Sequence, residues 1–120
     1  MKFYKCKACG SILILDAGAD CCGAELEELI PNTTDAAGEK HVPVIAVDGA
    51  VVTVTVGAVE HPMLPAHFIQ WIVLETSAGY QKKALKPETK PCAQFVLAEG
   101  ETAVAAYEFC NLHGLWKAEV

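Results

Sequence analysis

Four of the six cysteines lie near the N-terminus in a pattern that is typical of a metal site. Cys6 and Cys9 form a Cys-x-x-Cys turn, and Cys21 and Cys22 follow as an adjacent pair. Four thiolates make a tetrahedral site that suits iron or zinc. The spacing alone does not decide between the two metals, so a structural zinc ribbon stays open as an interpretation.

A second group of candidate ligands combines every histidine of the chain with one further cysteine. Its members are His41, His61, His67, Cys110 and His113. Each of them lies beside a turn, where loops of a small domain can meet around an ion. Structural zinc uses four protein ligands, whereas iron sites accept other ligand numbers and can keep a position open for substrate. Five ligands therefore favour a catalytic iron. The sixth cysteine, Cys92, fits neither group, and we interpret it as a small buried apolar side chain.

The composition excludes several classes of protein. A formal net charge of −6 argues against a nucleic-acid partner, because phosphates attract a basic surface. No apolar run approaches the roughly 20 residues of a membrane-spanning helix. The first residues do not resemble an export signal, so we expect a cytoplasmic protein whose thiols stay reduced and available to metals.

The turn-rich stretch that begins at Pro31 predicts a boundary between two domains. We place the first domain at residues 1–35, which is too short for a core of its own and needs a metal. Residues 36–120 form the second domain. The Asp48-Gly49 dipeptide predicts a hairpin turn, and the alternation in 52–56 predicts a half-buried strand after it.

Further strands are predicted at 42–47, 68–74 and 93–97, which are rich in β-branched and aromatic residues. The segment 102–109 is compatible with either a helix or a strand. Together these features predict an all-β chain. Its second domain is an immunoglobulin-like, seven-strand antiparallel β-sandwich.

Several motifs resemble those of the desulfoferrodoxin and neelaredoxin superoxide reductases, and the resemblance extends over nearly the whole chain. They are Glu39–Ile45 (EKHVPVI), His61–Met63 (HPM), His67–Ile72 (HFIQWI) and Cys110–Lys117 (CNLHGLWK). The start of the chain, around Tyr4-Lys5-Cys6, is similar to the rubredoxin/desulforedoxin-like N-terminal domain of the two-iron members. The chain departs from the family in the gap between Cys9 and Cys21, which holds 11 residues and is shorter than expected.

The resemblance implies an enzyme that takes part in superoxide detoxification under oxidative stress. It would reduce superoxide by one electron to hydrogen peroxide at a ferrous iron, with no dioxygen produced. The implied partners are superoxide as substrate, rubredoxin or a similar electron donor, and a second copy of the chain in a homodimer.

The resemblance also implies a role for each candidate ligand. The catalytic iron would have four equatorial imidazoles, from His41, His61, His67 and His113, and the axial thiolate of Cys110. In the family, the histidine that corresponds to His113 binds through its other ring nitrogen. A second non-haem iron, able to relay electrons, would be held by Cys6, Cys9, Cys21 and Cys22. Glu39 would occupy the sixth position in the resting ferric state, and Lys40 would lie beside that position in the ferrous state.

Two other functions remain as alternatives. The first is a rubredoxin-like, non-catalytic electron carrier that works through the four-cysteine iron. The second is a structural zinc protein that binds a partner. Five intact ligands in the second domain argue against both, because neither function needs an open metal site. Without the adjacent His41, the Glu39-Lys40 pair would be interpreted as an ordinary solvated pair.

Overall fold

The computed structural model describes residues 1–15, 21, 23 and 25–120. The chain divides into two compact units, Met1–Ile30 and Pro31–Val120. In the described part of the chain, no helix has the length and apolar character needed to cross a bilayer.

The first unit contains the strands β1 (Lys2–Cys6), β2 (Ile12–Leu15) and β3 (Leu26–Leu29). They form a three-stranded antiparallel sheet with the strand order β2-β1-β3. Phe3 on the central strand faces Ile14 on one side and Leu29 on the other. These apolar cross-strand pairs stabilise the sheet. They also fix the end of β1, where Cys6 lies.

The second unit consists of one short helix and seven strands: α1 (Gly38–His41), β4 (Pro43–Asp48), β5 (Val51–Val56), β6 (Ile69–Thr76), β7 (Gly79–Ala84), β8 (Cys92–Val96), β9 (Ala103–Cys110) and β10 (Gly114–Glu119). The strands form a sandwich of two antiparallel sheets, with the strand orders β10-β9-β6-β7 and β4-β5-β8. The seven strands confirm the predicted all-β, immunoglobulin-like sandwich.

The core lies between the two sheets. Alternate residues of β5 point inward, and Val52, Val54 and Val56 are fully buried. They pack in one cluster with Phe95 of the same sheet and Leu74 of the facing sheet. Burying one such side chain stabilises the fold by roughly 1.5–3 kcal/mol. The core therefore holds the strands whose ends carry the candidate ligands.

Three local features go beyond the sequence analysis. The ambiguous segment 102–109 is strand from residue 103 onward, as part of β9, which pairs with β6 on one side and β10 on the other. The single turn of helix α1 was not predicted, and His41 is its last residue. The two compact units meet at Ile30 and Pro31. Asn32, in the second unit, bonds to β10, since its backbone N–H donates to the Leu115 carbonyl at 3.1 Å.

Candidate metal centres

Three of the four N-terminal cysteines come together in the first unit. The ligand atoms of Cys6, Cys9 and Cys21 all lie within 4.8 Å of one another. The Sγ atoms of Cys9 and Cys21 are 3.7 Å apart. Two thiolates on one tetrahedral metal, each about 2.3 Å from it, lie roughly 3.8 Å apart. The spacing therefore fits a shared ion. Cys22 lies outside the described residues.

The turn after β1 holds this cysteine group in shape. The backbone N–H of Gly10 donates to the Cys6 carbonyl at 2.9 Å, and that of Cys6 donates to the Ser11 carbonyl at 2.9 Å. Gly10 has a φ of +76°, a conformation that favours glycine. Hydrogen bonds from Ser11, the hydroxyl foremost, lower the pKa of Cys9 to about 6. Cys9 is thus largely a thiolate at neutral pH, the form that binds a metal.

The second group gathers at one end of the sandwich. His41 ends α1, His61 and His67 lie in the loop between β5 and β6, and Cys110 and His113 lie at the turn between β9 and β10. The five ligand atoms all lie within 4.8 Å of one another. The structure therefore brings together every predicted member of this group.

The four imidazoles form a closed ring in the order His41, His61, His67, His113. Neighbouring rings meet edge to face, with centroid distances of 4.7, 4.7, 5.1 and 4.9 Å around the circuit. The Sγ of Cys110 lies 3.5 Å from Nε2 of His61 and 3.9 Å from Nδ1 of His113. This is the arrangement of four ligands around a square with a fifth, sulfur ligand beside it.

The nitrogen atoms that face one another need a cation between them. Nδ1 of His41 donates to the Ala37 carbonyl at 2.8 Å, and Nδ1 of His61 donates to the Pro62 carbonyl at 2.6 Å. In the neutral rings the proton is thereby placed on Nδ1, and each Nε2 carries a lone pair. These two Nε2 atoms lie only 3.2 Å apart. Adjacent ligands in a square, about 2.1 Å from a metal, lie roughly 3 Å apart.

Two further observations fit a bound metal. Nε2 of His67 is buried and has no hydrogen-bond partner among the described residues, as expected of a ligand atom. Nδ1 of His113, rather than its Nε2, lies 3.1 Å from Nε2 of His41. His113 therefore presents the opposite ring nitrogen from His41 and His61, as the family resemblance implies.

Burial sets the charge state of these ligands. It lowers the pKa of His61 to about 4, and it also lowers the pKa values of His41 and His67. The three imidazoles are neutral at pH 7 and ready to bind a metal. Burial raises the pKa of the Cys110 thiol, so a nearby cation is needed to make it a thiolate at neutral pH. The five donors suit an ion such as iron that accepts both imidazole and thiolate.

An open cleft of about 530 Å³ lies against His61. Its lining residues include the basic Lys40 and Lys90 and the acidic Glu60 and Glu88. Lys40 thus lines the same cleft as His61. Glu39, on the same turn of helix, has an exposed side chain and does not line the cleft.

Comparisons with known proteins agree with this geometry. The profile of the desulfoferrodoxin family matches residues 33–119. A desulfoferrodoxin from Clostridium acetobutylicum is 44% identical over 124 residues, a match that covers 100% of this chain and 97% of the relative. The chain belongs to the desulfoferrodoxin family.

Solved structures support the same assignment. A superoxide reductase from Treponema pallidum matches with a TM-score of 0.84 and 39% identity, over 99% of this chain and 100% of that one. A one-iron superoxide reductase from Giardia intestinalis matches with a TM-score of 0.59 and 31% identity, over 68% of this chain and 97% of that one. With the family confirmed, the three-cysteine and His4Cys groups are consistent with two iron sites.

The sequence analysis missed several residues that hold the candidate ligands in place. Trp116 stacks on His41 at 4.9 Å, and its indole N–H donates to the His113 carbonyl at 3.0 Å. Asn111 bonds to the segment around His67. Their proximity to the ligand motifs was the only signal in the sequence.

Cys92, expected to be buried, is half-buried and accepts a hydrogen bond from the Thr55 hydroxyl at 3.6 Å.

Proposed function

We propose that this protein is a superoxide reductase. It takes up one superoxide, one electron and two protons, and it releases one hydrogen peroxide with no dioxygen. The single observation that carries the proposal is the ring of four imidazoles with the Cys110 thiol beside it. Five protein ligands in this arrangement leave a sixth position for a small substrate. Relatives named superoxide reductase, among them one from Pyrococcus horikoshii that is 38% identical over 79% of this chain, support it.

The chain's own residues prepare the site for a small anion. When bound, iron supplies Lewis acidity and one-electron redox chemistry. His41, His61, His67, His113 and the fully buried thiol of Cys110 would hold the iron. A thiolate ligand would donate electron density to the ion. The Nδ1 hydrogen bonds of His41 and His61 fix their rings and keep Nε2 directed at the centre.

Lys40 and Glu39 are proposed to act at the sixth position. Lys40 places an ammonium group at the cleft beside His61, where it attracts superoxide to a protein with a net charge of −6. The carboxylate of Glu39, two residues before His41, would be an additional ligand of the oxidised iron. Its side chain is exposed, which supports a ligand that is held only loosely.

The cysteine group of the first unit is proposed to hold the second iron, with Cys22 as its fourth ligand. The 3.7 Å separation of the Cys9 and Cys21 sulfurs supports a tetrahedral ion, which zinc also fits. We propose that iron is bound and relays electrons to the catalytic centre. A rubredoxin-like donor, a homodimeric state and a cytoplasmic location complete the proposal and rest on the family resemblance.

The alternative of a non-catalytic electron carrier is not favoured. A carrier needs only the cysteine iron, and it gives no reason for four buried or half-buried histidines to converge on one point with a buried thiol. The structural zinc interpretation fails for the same reason. A dismutase would use a similar ion, so the products must decide.

The decisive experiment measures metal content and stoichiometry together. Purified protein is analysed for iron and zinc, reduced, and mixed with a measured amount of superoxide. We expect two irons per chain, one peroxide for each superoxide consumed, oxidation of the catalytic iron and no dioxygen. One dioxygen formed for each peroxide would identify a dismutase. Iron confined to the cysteine group, with no response to superoxide, would favour the electron carrier.

A further inference from the structure

Among the four histidines, His67 differs in how its ring is held. The rings of His41 and His61 donate from Nδ1 to backbone carbonyls, and His113 directs its Nδ1 at the ring centre. In the described part of the chain, no hydrogen bond from the His67 ring to the protein is found, and its Nε2 is buried without a partner. The position of this ligand must therefore be set through its backbone.

The backbone of His67 forms a closed turn with Leu64. The His67 N–H donates to the Leu64 carbonyl at 3.0 Å, and the Leu64 N–H donates to the His67 carbonyl at 2.9 Å. This pair gives the turn its shape. It does not fix the turn relative to Cys110 and His113, since both of its bonds lie within the turn.

Asn111 supplies that connection. Its side-chain Nδ2 donates to the Ala66 carbonyl at 3.0 Å, and its Oδ1 accepts from the Phe68 N–H at 2.9 Å. Its own backbone N–H donates to the Phe68 carbonyl at 3.2 Å. One residue thus holds the peptides on both sides of His67. The same residue lies between the ligands Cys110 and His113.

We infer that Asn111 is a positioning residue that fixes His67 relative to the Cys110–His113 turn. The inference rests on the proposed iron at this centre. Partners that orient metal ligands commonly change metal affinity by about 10- to 100-fold when they are removed. A short side chain at position 111 leaves the Ala66 carbonyl and the Phe68 N–H without this partner. The imidazole of His67 would then dissociate from the ion more easily.

Asn32 provides a matched control in the same unit. Its Nδ2 donates to the Lys117 carbonyl at 3.1 Å, and its Oδ1 accepts from the Lys117 N–H at 2.8 Å. This side chain makes the same two kinds of bond to the backbone, but it brackets no ligand. Asn32→Ala therefore reports the general effect of losing an amide clamp.

The test uses the full-length, iron-loaded protein and needs no superoxide. Iron release to a chelator and the electron paramagnetic resonance signal of the oxidised His4Cys centre are recorded for N111A, N111D and N32A. We expect N111A to release this iron about tenfold faster than the parent protein and to broaden its signal. The cysteine iron in the same molecules should be unchanged. N111D keeps the acceptor for Phe68 but loses the donor to Ala66. Its rate of iron release should therefore lie between those of the parent protein and N111A.

The outcomes separate this inference from the proposed function. Equal release from N111A and the parent protein would overturn the positioning role, as would equal acceleration in N32A. Iron that is held normally but does not react with superoxide would contradict the proposed function and leave the role of Asn111 intact. A His4Cys centre that takes up no iron would overturn both.

Discussion

Gly57 lies so close to the backbone of Lys40 that it has no room for a side chain. A Cβ atom at position 57 would come within 2.5 Å of both the Lys40 carbonyl carbon and the Glu39 carbonyl oxygen. The Glu39 carbonyl also accepts a hydrogen bond from the Val59 N–H at 2.9 Å. The short helix α1 is therefore seated directly on the loop that follows β5. The absence of a side chain at Gly57 therefore allows the backbone of Lys40 to lie where it does.

Gly57→Ala should displace α1 and weaken both function and stability. The new methyl group must push the Glu39–Lys40 backbone away, and φ at position 57 is +87°, which an L side chain rarely adopts. We expect a loss of about 1–3 kcal/mol in the free energy of unfolding and a slower second-order reaction with superoxide. Chemical denaturation and pulse radiolysis measure the two quantities.

Gly49→Ala is the control for this change. Gly49 also has a positive φ, of +59°, but an added Cβ would meet no atom within 4 Å. The G49A protein should lose stability from backbone strain alone and react with superoxide at the rate of the parent protein. If G49A slows the reaction as much as G57A, the seating of α1 is not the cause.

Lys40→Ala should slow the encounter with superoxide and flatten its dependence on salt. Lys40 lines the same cleft as His61, and in the proposed function its positive charge offsets the repulsion between an acidic protein and an anion. We expect the second-order rate constant to fall about threefold to tenfold at low ionic strength, and less at high ionic strength. The rate is measured over a series of salt concentrations.

Lys86→Ala removes the same charge from an exposed position that does not line the cleft. Its rate constant should stay close to that of the parent protein. A steering role for Lys40 is untenable if the two variants behave alike.

Glu108→Gln should change how stability depends on pH. Glu108 is fully buried on β9, and neither carboxylate oxygen has a hydrogen-bond partner among the described residues. Burial raises its pKa from 4.5 to about 9. Between these values the folded protein keeps a proton that the unfolded chain has released. Stability therefore falls as pH rises through this range, by up to about 1.4 kcal/mol per pH unit.

The amide of E108Q does not titrate, so the free energy of unfolding should depend less steeply on pH in this range. Denaturation curves at a series of pH values give the slope for both proteins. Glu99→Gln, at an exposed position, should keep the slope of the parent protein. Identical slopes for E108Q and the parent would show that Glu108 is ionised in the folded state.

Ser11→Ala should lower the reduction potential of the cysteine iron. The Ser11 Oγ lies 3.1 Å from Sγ of Cys9. A metal-bound thiolate carries no proton, so the hydrogen of this bond comes from the serine. Such a bond stabilises the more electron-rich, reduced centre. Because both groups are exposed, we expect a modest change of about 30 mV.

A redox titration followed by the visible band of the cysteine iron measures this change. Ser11→Thr keeps the hydroxyl and should keep the potential. The His4Cys iron of the same protein serves as an internal reference and should not move. If S11A and the parent protein have the same potential, the Ser11 hydrogen bond does not tune the reduction potential of this centre.

The sequence predicted which histidine and cysteine side chains come together, because their chemistry is carried by residue type. Cysteine and histidine beside turns are informative on their own, and the alternation in β5 identified a strand without knowledge of its partners. The segment 102–109 was ambiguous because its alanines have helical propensity. Only its pairing with β6 and β10 decides for a strand, and those partners are distant in the chain.

The residues that support the ligands escaped prediction for the same physical reason. The contact between Gly57 and Lys40, and the bonds from Asn111 to Ala66 and Phe68, join segments that meet only in the folded protein. Neither glycine nor asparagine signals such a contact by its type. The burial of Glu108 also could not be predicted from its residue type, because a carboxylate is seldom fully buried without a partner.

The ring of ligands has a consequence for how the sandwich holds together. His41 precedes β4, a strand of the β4-β5-β8 sheet. Cys110 and His113 lie at the turn between β9 and β10 of the four-stranded sheet. The loop with His61 and His67 joins one sheet to the other. An ion bound there cross-links the two sheets at one end, as a disulfide would. Release of such an ion would loosen the edge of the sandwich as well as end catalysis. Iron supply would then also determine how long the folded protein lasts in the cell.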